Sequence, residues 1–447
     1  MGPVQRCGAQ GDLDDRGDQE TEDETVQTVP RKDRRFAATA PPRAGPLPVN
    51  ERAKLSFRFV VLTGVVSLFA DMAYEGARGE VGAFLGHLGA SGAVVGLVAG
   101  LGEFAGYAIR SLSGAIADRT GFYWIDAWAG YAINVLCVPA LAFAGSWPAA
   151  AGLVVGERLG RGIRKPVMSA VIAEAGREIG GGKAFGIHEA LDQAGATVGP
   201  LIVALTIARG GGFRLGFGVL IVPALLALVA LVPTTAAGMK LKPRDAQTQA
   251  PALRDTAAFR RYAIGGALVA AGYVDFALIA FRFGRDHVVS LAAISLWFAV
   301  AMATAAVTAP LLGKLFDRYG SAVIAVALVA TAAATPLAFL GYGAFAQAGA
   351  ALWGIGTAVQ DALLLALVAS VIRKGRGAAT FGLFDLIFGI AWFAGSAIAG
   401  VLLDRSIAGL VVFSVVMQLF AIPFFTGSRR AAANGQRRSF YDSAKCN

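Results

Sequence analysis

From Phe57 to Thr426 the chain is a succession of apolar segments, each of bilayer-crossing length, parted by short polar breaks. A helix rising ~1.5 Å per residue needs ~20 such residues to cross the hydrocarbon core. Segments of that length fall at 57–77, 91–112, 123–144, 148–171, 184–207, 214–234, 262–283, 290–312, 321–341, 345–372, 380–403 and 407–426. Composition agrees: 56% of residues are hydrophobic and 16% charged, where a soluble domain carries about 25% charged. Glycine, at 57 residues, is enriched as it is in membrane helices. A soluble globular enzyme is excluded. The expectation is an all-α membrane protein of twelve transmembrane helices.

The flanks differ from this core. Residues 1–55 carry eight carboxylates between Asp12 and Glu24, a basic run at Arg31–Arg35 and four prolines at 41, 42, 46 and 48. Such a segment buries too little apolar surface to order itself, so a disordered cytoplasmic tail is expected. Residues 428–447 form a second polar tail, and the first apolar run begins too late for a cleavable leader. A polar break at 235–261, rich in Lys and Arg, reads as a cytoplasmic linker between six-span halves at 56–234 and 262–427. Basic residues concentrate in segments that face one side. Arg78, Arg209, Arg214, Arg285 and Arg405 are the few on the other. That asymmetry puts both termini in the cytoplasm of the inner cell membrane, and it accounts for the net charge of +10 without nucleic acid. Cys7, Cys137 and Cys446 form neither a disulfide framework nor metal-binding spacing. No cofactor or metal is expected.

The halves echo each other. Phe185-Gly186 and Glu189 in the fifth segment match Phe381-Gly382 and Asp385 in the eleventh, an offset of 196 that also pairs Gly199 with Gly395. Asp71 and Arg78 match Asp275 and Arg282 at an offset of 204. Gly114, Asp118, Arg119 and Gly121 after the second segment match Gly313, Asp317, Arg318 and Gly320 after the eighth. Internal repetition over twelve segments is the build of secondary transporters, with the site between the halves near the midplane.

These motifs resemble the major facilitator superfamily over roughly residues 56–427. Its loop signature Gly-x-x-x-Asp-Arg-x-Gly is present twice, though the basic residues that usually follow are missing. Arg158 and Gly162 match its fourth-span signature, with Arg161 where Gln is common. Gly195, Gly199 and Pro200 match the Gly-x-x-x-Gly-Pro of its exporters, and Val203 and Ala204 replace a further glycine pair. The resemblance implies two pseudo-symmetric six-helix halves and a cytoplasmic gate at Asp118 and Asp317.

Charged side chains inside a span need a partner or a water-filled cavity. Asp71, near mid-depth, reads either as a cavity carboxylate or as the structural partner of Arg78 or of a neighbouring helix. Glu75 and Arg78 are expected at the outer interface, and Asp275 and Arg282 are expected to repeat the arrangement. Glu103, at mid-depth with no Arg or Lys following within a turn and Arg110 seven residues on, needs a partner from another helix or a proton. Arg158 is too deep to snorkel, and Glu103, Glu189 and Asp192 are its candidate partners. Arg164 and Lys165 are expected to snorkel to the cytoplasmic surface. Glu189 or Asp192 is expected to balance these arginines, with Asp192, Gly195 and Gly199 on one packing face. Gln360 and Asp361 are expected to line the cavity by analogy with the family, and Trp353 faces either cavity or lipid. His87 and His287 are expected to be solvated.

The sequence carries no P-loop, HExxH or GxSxG motif, so no enzyme is expected. The leading expectation is proton-coupled export of a small organic solute through the lipid bilayer by a monomer. Organic-anion uptake or exchange is the alternative, and a non-transporting membrane sensor is the reading from another class.

Overall fold

The computed structural model describes residues 49–241, 256–320, 322–370 and 378–426, and among these no strand occurs. In chain order the helices are α1 (Val49–His87), α2 (Gly92–Thr120), α3 (Tyr123–Ala140), α4 (Trp147–Ile179), α5 (Gly181–Thr206), α6 (Gly212–Gly218) and α7 (Ile221–Gly238). The second half continues with α8 (Thr256–Gly272), α9 (Phe276–Arg285), α10 (Leu291–Tyr319), α11 (Ala322–Leu340), α12 (Ala344–Ala358), α13 (Leu365–Ser370), α14 (Ala378–Arg405) and α15 (Ile407–Thr426). The end of the bundle holding the α1–α2 turn is called the top, and the end holding Val49 the bottom.

Among the described residues ten runs are long and apolar enough to cross a membrane, and two features relate these to the expected twelve. The run Gly181–Gly238 is 58 residues long and is broken where Gly210 and Gly212 take φ of +88° and +56°, so it contains two crossings. α4 spans 33 residues but carries Glu157, Arg158, Arg161, Arg164 and Lys165, too many charges for an apolar span. α1 overturns two boundaries. It starts at Val49, inside the expected tail, and ends at His87 instead of residue 77. The rest of the tails and most of the linker lie outside the described residues.

The packing repeats. α1 lies along α5 and α7 as α8 lies along α14 and α15, and α3 pairs with α4 as α11 pairs with α12. Small residues set these distances. A side chain on Gly195 or Gly199 would enter the backbone of Leu68 or Met72 on α1, and one on Gly395 would enter the backbone of Ala271 on α8. Without a hydrophobic driving force between helices in lipid, such close approach supplies the packing energy. The outward faces present Val229, Val326, Val412 and Phe420, all largely exposed, as a lipid-facing belt requires.

Across the halves, α2 packs on α14, α1 on α9 and α10, and α5 on α10. At the top this seam is tight. Gly82 abuts Ala277, and Gly96 abuts Ser396 and Gly400. The amides of Gly92 and Ala93, which open α2, donate to the two carboxylate oxygens of Asp404 at 2.9 and 2.8 Å. An opposite-half carboxylate thus caps a helix N-terminus, where orphan donors and the helix dipole favour it. Arg285 reaches the same carboxylate at 3.7 Å.

Candidate functional site

The charges of the first half form one connected chain. Arg78 of α1 pairs with Glu75 one turn back, at 3.3 Å, and with Glu103 of α2 at 3.4 Å. Glu103 also accepts from Arg158 of α4 at 3.2 Å, and Arg158 reaches Glu157 at 2.8 Å. Glu157 accepts from the Asn134 amide of α3 at 2.8 Å, and Asn134 Oδ1 accepts from Arg164 Nε at 3.2 Å. Arg164 ends the chain on Asp71 at 3.4 Å. Every member is buried or nearly so. Two guanidiniums are braced on aromatic faces, Arg164 over Tyr131 at 4.5 Å and Arg161 over Tyr74 at 4.7 Å. In low dielectric each ion is tolerable because its neighbour compensates it.

Part of this chain lines a partly enclosed cavity of ≈ 30 Å³ with Tyr74, Asp275 and apolar side chains. At ~10–15 Å³ for each water centre, that is room for about two waters and for no organic solute. Below it the bundle opens. Lys165, Glu189 and Asp361 are exposed although they lie in the middle of long helices. They stand within electrostatic reach of one another across the two halves, so they face a common vestibule and not lipid. Arg110 and Asp385 form an inter-half ion pair at 3.2 Å at its edge, with Arg110 lying over Tyr107 at 4.8 Å.

In the second half the seventh crossing is broken. α8 stops at Gly272 and α9 starts at Phe276, and Asp275 is its N-cap, accepting from the Ala277 amide at 2.9 Å. The break is held by reciprocal bonds: the Trp353 indole donates to the Val274 carbonyl at 2.8 Å, and the Tyr273 hydroxyl donates to the Trp353 carbonyl at 2.8 Å. Trp353 therefore faces the seam and not lipid, with Arg78 6.0 Å from its ring. Just beyond, Val359–Leu364 is a π-helical turn. Within it Gln360 is buried with neither amide atom partnered.

Of the two pairings open to Asp71, the structure has the one with a neighbouring helix, through Arg164 of α4, and not the one with Arg78. Several other expectations need correction. Glu75 is buried and Arg78 nearly so within α1, not at an outer interface, because α1 extends nearly three turns past the expected boundary. Arg164 does not snorkel: α4 continues to Ile179, which leaves it too deep to reach water. Asp275 and Arg282 keep the spacing of Asp71 and Arg78 but not the chemistry. Arg282 donates to the carbonyls of Ala338 and Gly341 and reaches Asp286 at 3.8 Å. Glu189 accepts from Gln193 at 2.9 Å, while Asp192 stands against Asp71 and Arg164. His87 and His287 are exposed, as expected.

Of the loop signatures, the side chains of Asp118 and Arg119 lie outside the described residues. Asp317 and Arg318 are exposed. Gly114 is half-buried beside Pro166, and Gly313 has open space about it. Gly121 and Gly320 both take left-handed backbone, φ +70° and +65°, where a side chain is strained. That turn geometry explains the last glycine of each signature. Asn134 and Glu80 were not singled out from the sequence. Asn134 is an amide at mid-depth in a span, a signal that was present. Glu80 fell beyond the assumed end of its span.

A profile described as Major Facilitator Superfamily matches residues 63–283. An uncharacterized protein of Mycobacterium tuberculosis is 35% identical over 383 residues, covering 82% of this chain and 92% of the relative. An uncharacterized MFS-type transporter of Methanocaldococcus jannaschii is 29% identical over 185 residues, 41% of this chain and 46% of that one. Among solved structures, the nucleoside transporter NupG aligns with a TM-score of 0.62 at 15% identity, covering 82% of this chain and 99% of its own. The peptide transporter POT in complex with sulfate gives 0.62 at 15% identity, covering 85% and 96%. At such identities the solved structures establish the shared fold.

Proposed function

Since the chain belongs to the major facilitator superfamily, and so is a multi-pass membrane protein built to move some solute by secondary transport, we propose that it couples proton movement to the export of a small organic solute. The observation that carries this reading is the connected chain of carboxylates and arginines, joined through the Asn134 amide, from Asp71 to Glu75. Ionisable groups buried in membrane spans mark proton relays and substrate paths, and this chain threads four helices beside the vestibule. Glu103 and Arg158 act within it, Asp71 at its end and Arg161 beside it, with Gln360 and Asp361 contributed by the second half. When the halves rock, Arg158 and Arg164 exchange partners, and the carboxylate released by an arginine becomes a proton acceptor.

Export is supported by Gly195, Gly199 and Pro200, which hold α5 against α1 as the exporter motif requires. The distribution of basic residues supports a cytoplasmic bottom, the end that holds Val49 and the Gly121 and Gly320 turns, and on that reading the open vestibule faces inward to load substrate. There Asp118 and Asp317 gate the closing of the loops. Arg158 and Arg164 are already committed to carboxylates, which weakens the anion-uptake alternative. Arg161 and Lys165 remain to meet an anionic or hydrogen-bonding group on the solute. Nucleosides and short peptides, the cargoes named for two proteins of the same fold, are the first solutes to test.

The experiment uses proteoliposomes loaded with a pH-sensitive dye, challenged with uridine, dialanine and a panel of small organic cations. At least one solute should move protons with it. Asp71→Asn and Glu103→Gln should keep solute exchange across equal pH while losing accumulation driven by a pH gradient. Full pH-driven accumulation in both variants would make these carboxylates structural and overturn the coupling.

A further inference from the structure

One buried carboxyl stands apart from the chain described above. Glu80 lies on α1 about 10 Å below its top end at ~1.5 Å per residue, and it is 0% exposed. It points into the seam between the halves. Its Oε1 accepts from the Ser295 amide at 3.0 Å and from the Ser295 hydroxyl at 2.6 Å, and Ser295 belongs to α10 of the other half. Its Oε2 is buried without a hydrogen-bond partner. The neighbouring contacts are apolar and tight, with Gly79 against Phe298 and Gly82 against Ala277.

No cation faces it. Arg78, two residues away, is committed to Glu75 and Glu103. On α9, Arg282 binds carbonyls and Asp286, and Arg285 is held by Asp286 and Asp404. Asp275 on the same element is spent on its cap. α10 carries no ionisable residue before Lys314, and α7 carries none at all. The charged residues of α3, α4 and α5, from Asp126 to Asp192, occupy the polar chain, the vestibule or the lower ends. On α2, Glu103 is in the chain and Arg110 pairs with Asp385. Arg214 of α6 is exposed at the top. An ionised Glu80 would hold a full charge in a dry seam with one oxygen unserved. A neutral acid fits: Oε1 is then the carbonyl oxygen, served twice, and Oε2 carries the proton.

We propose that Glu80 is the proton-binding group of the upper seam, taking a proton from the aqueous phase on that side as α1 closes on α10 and returning it there when the seam opens. Closure removes the carboxyl from water and so requires its proton. Opening hydrates it and lets it ionise. The inference rests on the proton-coupled reading above and adds to it a second, spatially separate proton site whose occupancy sets which side of the protein is open.

The test reads seam width against pH. Spin labels at Ser91→Cys and Ser290→Cys, in the full chain with Cys7, Cys137 and Cys446 replaced by Ser and reconstituted in nanodiscs, report the distance between the halves at the top. In the otherwise unaltered protein the short-distance population should grow as pH falls from 9 to 5. Glu80→Gln, permanently neutral, should hold the short distance across that range, and Glu80→Asp should keep a pH response. A pH response in Glu80→Gln equal to that of the unaltered protein, or none in the unaltered protein, overturns the proposal. Ser295→Ala covers the case in which the Gln variant does not fold. Losing one donor to the closed, protonated form should move the midpoint of closure to lower pH by roughly half to one unit, and an unmoved midpoint counts against the site. Dye-reported proton flux on the same samples separates this result from the broader reading. Solute-driven proton movement that persists undiminished in Glu80→Gln with an unchanged seam response removes Glu80 and leaves coupling in place. A seam governed by Glu80 in a protein whose solutes move no protons does the reverse.

Discussion

Arg158 shows how a single side chain can be held on both sides. It bridges Glu103 and Glu157, so Arg158→Ala leaves Glu103 with Arg78 alone and Glu157 with only the Asn134 amide, and breaking a buried pair costs up to ~3–5 kcal/mol. A clear fall in melting temperature in detergent is expected. Glu157→Gln, which keeps the Asn134 contact and removes one charge, should fall much less. That Arg158 needed a carboxylate was readable from its depth, and Glu103 was among the three partners the sequence offered. Arg164 was not readable in the same way. Snorkelling is judged by distance to the helix end, and the apolar stretch of α4 ends near residue 171 while the helix runs on to Ile179. Glu80 was hidden for the same reason: hydropathy marks where lipid contact stops, not where the helix stops.

At the level of elements, the break between α8 and α9 replaces the continuous span expected over 262–283. Its cap can be probed without disturbing charge pairing. Asp275→Asn retains a capping acceptor and should change stability little, whereas Asp275→Ala should cost ~0.5–2 kcal/mol. Trp353→Phe keeps the ring stack but removes the donor to the Val274 carbonyl, about 1 kcal/mol for a net hydrogen bond, and should show in thermal unfolding as a loss smaller than that of Trp353→Ala. The glycine contacts make a sharper case. Gly199→Leu and Gly395→Leu would each drive a side chain into a facing backbone, and overpacking of that kind costs at least ~1–3 kcal/mol. Both variants should fold poorly, measured by monodisperse yield, while Gly313→Ala, with open space around it, should behave as the unaltered protein. The repeats were legible because periodic small residues and loop glycines are backbone requirements. The partners of Asp275 and Arg282 were not, because a repeated spacing fixes position on a helix and leaves the chemistry of the neighbour free.

At the scale of the whole molecule, the top is closed by Asp404 and the glycine contacts while the vestibule opens below. If the bottom is cytoplasmic, cysteines replacing Gly145 or Gly343 should react with an impermeant thiol reagent applied outside, and one replacing Asp245 only after permeabilisation. External labelling at Asp245 would invert the topology. Removing the cap with Asp404→Ala should shift the population toward a top-open form, read as faster labelling of a cysteine at Ser91. A further consequence comes from the unequal division of charge. Two copies of one architecture share the molecule, yet the continuous ionic chain runs through the first copy alone, and the second contributes a helix break, an aromatic brace and an unpartnered amide. On the proposed reading, substitutions around Gln360 and Asp361 should change which solute is carried while leaving the polar chain of the first copy intact, so descendants of such a carrier would be free to change diet while keeping the same engine.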